Sequence, residues 1–94
     1  MSNQTKPIAL ITGATSGIGY AIAKALADKY YLIICGRRKE RLEALQQELQ
    51  QTKVLPLVFD VRDKEEIKKQ FSSLPASWKE VEVLVNNAGN AHGL

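Results

Sequence analysis

Apolar residues fall into four short, almost unbroken runs, and stretches of helical period separate them. The runs are Pro7 to Thr12 (PIALIT), Tyr31 to Cys35 (YLIIC), Val54 to Phe59 (VLPLVF) and Val81 to Val85 (VEVLV). Runs this short, rich in isoleucine and valine, predict buried strands. Between them the period changes. Ile18, Ala21, Ile22, Ala25 and Leu26 recur at helical spacing and predict a first helix with those five on its buried face. Leu42, Leu45 and Leu49 predict a second helix from about Arg38 to Gln51. Ile67, Phe71 and Leu74 predict a third, with Asp63 and Glu66 spaced as a capping box at its start. The stretch SSLPASW reads as loop.

The resulting order is βαβαβαβ. Strands that are apolar throughout, joined by helical crossovers, imply an α/β fold whose parallel sheet is covered on both faces. Right-handed crossovers then give the first half of a doubly wound (Rossmann) sheet with strand order 3-2-1-4. Pro56 agrees with that order. Proline cannot donate to a sheet ladder, and the third strand is the outer edge, where a missing donor is tolerated. The fourth strand is the other edge, with Val81, Val83, Leu84 and Val85 poorly covered. Further strands are expected to cover it. Residues 1–94 are therefore expected to form one nucleotide-binding segment, the front part of a longer protein. The alternative is a complete small domain.

Composition narrows the partners. The formal charge is only +3, and basic residues alternate with acidic ones in RRKERLE and RDKEEIKK. Such runs read as solvated helix faces rather than a nucleic-acid patch. No apolar run approaches the roughly 18 residues that would span a membrane. The polar start, Met1 to Lys6, lacks the apolar core of a signal peptide. A cytoplasmic protein with no nucleic-acid or membrane partner is expected. The single cysteine, Cys35, has no internal disulfide partner and sits in an apolar run, so an inert buried thiol is expected.

The candidate chemistry begins at the first strand's end. Gly13, Gly17 and Gly19 stand between strand and helix as G-x-x-x-G-x-G. Glycines permit a tight turn and close backbone approach to a pyrophosphate, and the helix start offers unpaired N–H groups. Thr15 and Ser16 can donate hydroxyls or cap the helix. The competing reading is a tight strand-to-helix connection with no ligand. After the second strand, an acidic residue would bind the two ribose hydroxyls of NAD. This chain has Gly36-Arg37-Arg38 and no acid there. Planar, fixed-charge guanidinium donors suit the 2′-phosphate of NADP, so NADP is favoured over NAD. Two ordinary surface arginines opening a helix are the alternative.

These motifs resemble those of the short-chain dehydrogenases/reductases. TGATSGIG (Thr12 to Gly19) is similar to the family's glycine motif, Asp60-Val61 to the segment that contacts adenine, and NNAG (Asn86 to Gly89) to the motif that borders the cofactor. GRRKERLEAL, FDVRD, SLPASW and VLVNNAGNAHGL further resemble its NADP-dependent 3-hydroxy acid dehydrogenase branch, which includes serine dehydrogenases. The resemblance implies that Gly13, Thr15, Ser16, Gly17, Ile18 and Gly19 face the pyrophosphate and adjoining ribose. It implies that Arg37 and Arg38 take the 2′-phosphate, Asp60 and Val61 the adenine, and Asn87, Ala88 and Gly89 the cofactor's ribose region. It also implies hydride transfer between NADP(H) and a small secondary alcohol or ketone, such as a 3-hydroxy acid, and a homo-oligomer when full length. His92 resembles nothing catalytic and reads as a loop histidine.

The family's proton transfer uses Tyr-x-x-x-Lys, and Tyr20 and Lys24 have that spacing. They sit on the first helix, however, and helical geometry turns them away from the predicted sheet-facing residues. They face solvent or another layer and are read as an exposed pair with the ring against the lysine stem, so the catalytic serine, tyrosine and lysine of the family are expected to be absent from these 94 residues. A non-catalytic NADP-sensing or scaffold protein is the competing function. A methyltransferase is a weaker one, since Arg37 stands where its cofactor ribose wants an acid.

Overall fold

The structure, a computed structural model, describes residues 6–87. Four strands alternate with three helices: β1 (Ile8–Thr12), α1 (Gly17–Leu26), β2 (Tyr31–Gly36), α2 (Lys39–Glu48), β3 (Val54–Val58), α3 (Lys64–Ser72) and β4 (Val81–Asn86). All pairings are parallel and the order is β3-β2-β1-β4, as the apolar runs predict. Pro56 lies on the outer strand, opposite Ile34. SSLPASW is more ordered than a loop: Ala76–Trp78 form one 3₁₀ turn, Leu74 is buried, and the Trp78 ring lies 6.2 Å from that of Tyr31.

Alternation along β1 and β2 sends side chains to two cores. Ala9, Ile11, Leu32 and Ile34 meet Leu42 and Leu45 of α2, Leu49 just beyond it, and Ala23 of α1. Ile8, Leu10, Ile33 and Cys35 meet Phe59 and Leu74, with Ile67 of α3 and Trp78 alongside. On β4 the register slips once: Ile8 pairs with Val81, but Ala9 pairs with Val83. Skipping Glu82 reverses the alternation. Val81 therefore joins the α3 side, whereas Val83 and Val85 join the α1 side. Leu84 is left 62% exposed, in line with the poor cover expected for this edge.

The buried face of α1 differs from the predicted one. Gly19 and Ala23 are buried, with Ala27 just beyond the helix, while Ile22 and Leu26 are only half-buried. Ala21 and Ala25 are exposed and Ile18 is 66% exposed. The cause is proximity. A Cβ on Gly19 would collide with the carbonyl oxygen of Gly13 and stand 2.9 Å from the Cα of Ala14. A helix seated that close to the turn admits only small residues underneath, and the larger aliphatic groups flank it. Tyr20 is consequently half-buried against the same core, not turned to solvent. Its hydroxyl donates to Glu48 at 2.8 Å, and Lys24 Nζ stands 5.3 Å from the ring centre.

The remaining helix ends follow local chemistry. Asp63 caps α3 by accepting from the N–H groups of Glu65 and Glu66. The reciprocal half of the expected capping box is not made: Glu66 accepts from Gln70 Nε2 at 2.8 Å instead. Helix α2 stops before the predicted Gln51, because the Leu49 N–H is shared between the carbonyls of Leu45 and Gln46 as the last turn tightens. Phe71, predicted as core, is 41% exposed.

Candidate functional site

Parallel register brings the carboxyl ends of the four strands to one rim. Thr12 is level with Cys35 on one side and Asn86 on the other, and Gly36 is level with Val58. The chain therefore leaves the sheet at Gly13, Arg37, Phe59–Asp60 and Asn87 side by side. Two bonds continue the pairing past the strands: the Ala14 N–H donates to the Cys35 carbonyl at 3.3 Å, and the Phe59 N–H to the Gly36 carbonyl at 2.9 Å.

Gly13 turns the chain with φ 65°, a left-handed conformation suited to glycine. Ser16 then organises the bend. Its backbone N–H and its hydroxyl both donate to the Gly13 carbonyl, at 3.2 and 2.9 Å. Its Oγ accepts the Gly19 N–H at 3.2 Å, which makes Ser16 the N-cap of α1. Asn87 locks the turn to β4. Its Nδ2 donates to Ser16 Oγ at 2.8 Å and to the Gly13 carbonyl at 3.2 Å, and its N–H donates to Thr12 Oγ1 at 3.0 Å. Gly17 is open: nothing lies within 4 Å of where a Cβ would stand. The first-turn N–H groups of Gly17 and Ile18 have no partner among the described residues. Thr15 is half-buried at the same bend.

Arg37 and Arg38 follow β2 and are exposed. Among the described residues neither guanidinium has a hydrogen-bond or ion-pair partner. Arg38 is the N-cap of α2 through its backbone alone, its carbonyl accepting from Arg41 and Leu42. Asp60 and Val61 follow β3, both half-buried. Arg62, which the sequence reading did not single out, grips the Asp60 carboxylate. Its Nε donates to Oδ1 at 3.1 Å, its Nη2 to Oδ2 at 2.9 Å, and its backbone N–H to Oδ1 at 2.9 Å. These bonds, aided by the nearby charge of Arg37, hold the carboxyl down at about 2. The two-residue spacing of acid and arginine was the available signal. Val61 and Arg62 also border a cleft of about 300 Å³ between α3 and the strand ends, walled by Phe59, Phe71 and Leu84. Cys35 lies at its floor. Burial pushes that thiol up to about 12, as expected of an inert cysteine.

The structure thus gathers Gly13, Thr15, Ser16, Gly17, Ile18, Gly19 and Asn87 at one bend, with Arg37, Arg38, Asp60 and Val61 on the adjoining strand ends. Ala88, Gly89 and His92 lie outside the described residues. Tyr20 and Lys24 stand on the α2-facing flank of α1, committed to Glu48 and to each other.

The short chain dehydrogenase family profile matches residues 7–93. The chain belongs to that family. An NADP-dependent 3-hydroxy acid dehydrogenase of Salmonella typhi is 48% identical over 88 residues, covering 93% of this chain and 35% of that protein. Among solved structures, the closed form of serine dehydrogenase complexed with NADP+ superposes with a TM-score of 0.75 at 42% identity, over 87% of this chain and 33% of that one. L-Sorbose reductase from Gluconobacter frateurii, complexed with NADPH and L-sorbose, superposes with a TM-score of 0.81 at 32% identity, over 90% and 34%. This short chain dehydrogenase sequence therefore spans about a third of the length of each of these three relatives. Among the described residues, no helix is long and apolar enough to cross a membrane, and no cluster of His, Cys, Asp or Glu could hold a metal ion.

Proposed function

We propose that residues 1–94 form the NADP-binding segment of an NADP-dependent short-chain oxidoreductase. The observation that carries this reading is the pair of guanidinium groups, Arg37 and Arg38, without partners among the described residues, on the strand end beside the glycine turn. A dianionic 2′-phosphate supplies the acceptors those donors lack. The rest of the rim fits the same cofactor. The open position at Gly17 and the N–H groups of Gly17 and Ile18, unpaired among the described residues, suit a pyrophosphate, steadied by the hydroxyls of Thr15 and Ser16. Gly13 and Gly19 let turn and helix approach each other, and Ile18 offers an exposed apolar contact. The reading assigns Asp60 and Val61 to the adenine, and Asn87, Ala88 and Gly89 to the ribose nearer the nicotinamide.

When bound, NADP(H) supplies or accepts hydride. The reading includes a secondary alcohol or ketone as its partner, and the relatives' names favour a 3-hydroxy acid. The sorbose-bound relative, with a sugar ketone on a similar fold, argues that substrate choice is set outside this segment. The proton-transferring residues are assigned outside these 94 residues as well, because Tyr20 is committed to Glu48. Purified chain is thus expected to bind cofactor but not to turn over substrate; measurable turnover contradicts this part of the reading. Calorimetric titration with NADP+, NAD+ and S-adenosylmethionine tests the whole. NADP+ is expected to bind most tightly, and preference for either of the others overturns the assignment.

A further inference from the structure

Resting on the NADP reading above, we propose that Arg62 sets the preference for the 2′-phosphorylated cofactor by occupying the Asp60 carboxylate, which leaves Arg37 without a partner among the described residues. The two strand ends bring an acid and a base together. Because the Phe59 N–H is bonded to the Gly36 carbonyl at 2.9 Å, Arg37 and Asp60 follow paired residues on adjacent strands. A carboxylate and a guanidinium so placed are natural partners, and the Arg37 charge is felt at Asp60. Yet no hydrogen bond or ion pair joins them. Asp60 instead spends both oxygens on Arg62, through the side-chain fork at 3.1 and 2.9 Å and the backbone N–H at 2.9 Å. A bidentate fork outcompetes a single contact in geometry and in strength. It is also local, two residues along the chain, so little chain ordering is needed to form it.

Arg62 therefore does two things for the neighbouring site. It removes a competitor for Arg37, and it neutralises a carboxylate that would otherwise repel a dianionic phosphate. Both effects act on the 2′-phosphate alone. The adenine, the riboses and the pyrophosphate are common to NAD and NADP, so any role of Asp60 at the adenine cancels when the two affinities are divided. Arg62 acts through Asp60 and Arg37 and is a positioning residue. Its side chain is 74% exposed, so replacing it is expected to leave the fold intact.

The test is the ratio of NADP+ to NAD+ affinity, by calorimetry, for the unsubstituted chain, R62Q, R62K and the double variant D60N/R62Q. R62Q is expected to weaken NADP+ by about fivefold to twentyfold and NAD+ by less than about twofold. Removing the Asp60 charge in D60N/R62Q is expected to restore the ratio, and R62K to restore part of it. A general loosening of the loop would lower both affinities together and would not be rescued by D60N, and that result overturns the inference, as does an unchanged ratio in R62Q. Failure of the unsubstituted chain to bind NADP+ overturns the functional reading itself, and this inference with it.

Discussion

Asn87 Nδ2 donates to Ser16 Oγ at 2.8 Å, which ties the end of β4 to the residue that caps α1. The contact spans 71 positions of sequence and closes the glycine turn from the side opposite β2. Ser16→Ala removes the cap of the Gly19 N–H and an acceptor of Asn87 together. It is expected to lower stability by about 1–2 kcal/mol. Urea denaturation measures the loss, and an unchanged midpoint would mean that the turn holds without its serine.

Gly17 and Gly19 are two residues apart and are expected to respond in opposite ways. A methyl group on Gly19 meets the Gly13 carbonyl and Ala14, so Gly19→Ala must push α1 off the turn, at a cost of about 2 kcal/mol or more. Gly17→Ala meets nothing within 4 Å and is expected to stay within about 0.5 kcal/mol of the unsubstituted chain. It should nevertheless weaken NADP+ binding, because the methyl group enters the space assigned to the pyrophosphate. Paired urea melts and NADP+ titrations separate the two effects.

Much of the fold was legible in the sequence. Four apolar runs with helical spacers, and a proline in one of them, were enough for the order 3-2-1-4. Arg37 and Arg38 were legible because their distance from the second run fixed them at a strand end. The face of α1 was not. Periodicity ranks residues by hydrophobicity, and here close approach selected Gly19 and Ala23 over Ile18. The hold of Asn87 on Ser16 was also hidden, since it depends on β4 lying beside β1. Arg62 could have been noticed from its spacing to Asp60, but its importance comes from Arg37, which only the sheet register brings near.

Asp60 gives a pH signature. Its carboxyl ionises at about 2 instead of the ordinary 3.8, through the bonds from Arg62. A carboxyl depressed on folding contributes stability that is fully present above 3.8 and is lost as pH falls towards 2. An NMR titration of the Asp60 side chain is expected to show the low midpoint, and R62Q to raise it only part of the way to 3.8, because Arg37 takes up the freed carboxylate. A midpoint already at the ordinary value in the unsubstituted chain would contradict the bidentate pairing.

Cys35 has the opposite sign. Burial raises its thiol from 9.0 to about 12, so its contribution is present below 9.0 and is lost as pH rises towards 12. A thiol-specific reagent at pH 8 is expected to label the native chain only as fast as it unfolds. Rapid labelling under native conditions would show that the sulfur is accessible.

The central claim is that the guanidinium groups of Arg37 and Arg38, beside an amide-lined glycine turn, hold a dinucleotide carrying a 2′-phosphate. Its most direct test is calorimetric binding of NADP+ and NAD+ to the unsubstituted chain and to Arg37→Ser/Arg38→Ser. NADP+ is expected to bind more tightly than NAD+, and the double substitution to remove most of that difference, about tenfold or more, with NAD+ changed little. Equal affinity for the two dinucleotides in the unsubstituted chain, or no attachment of NADP+ at all, would contradict the account.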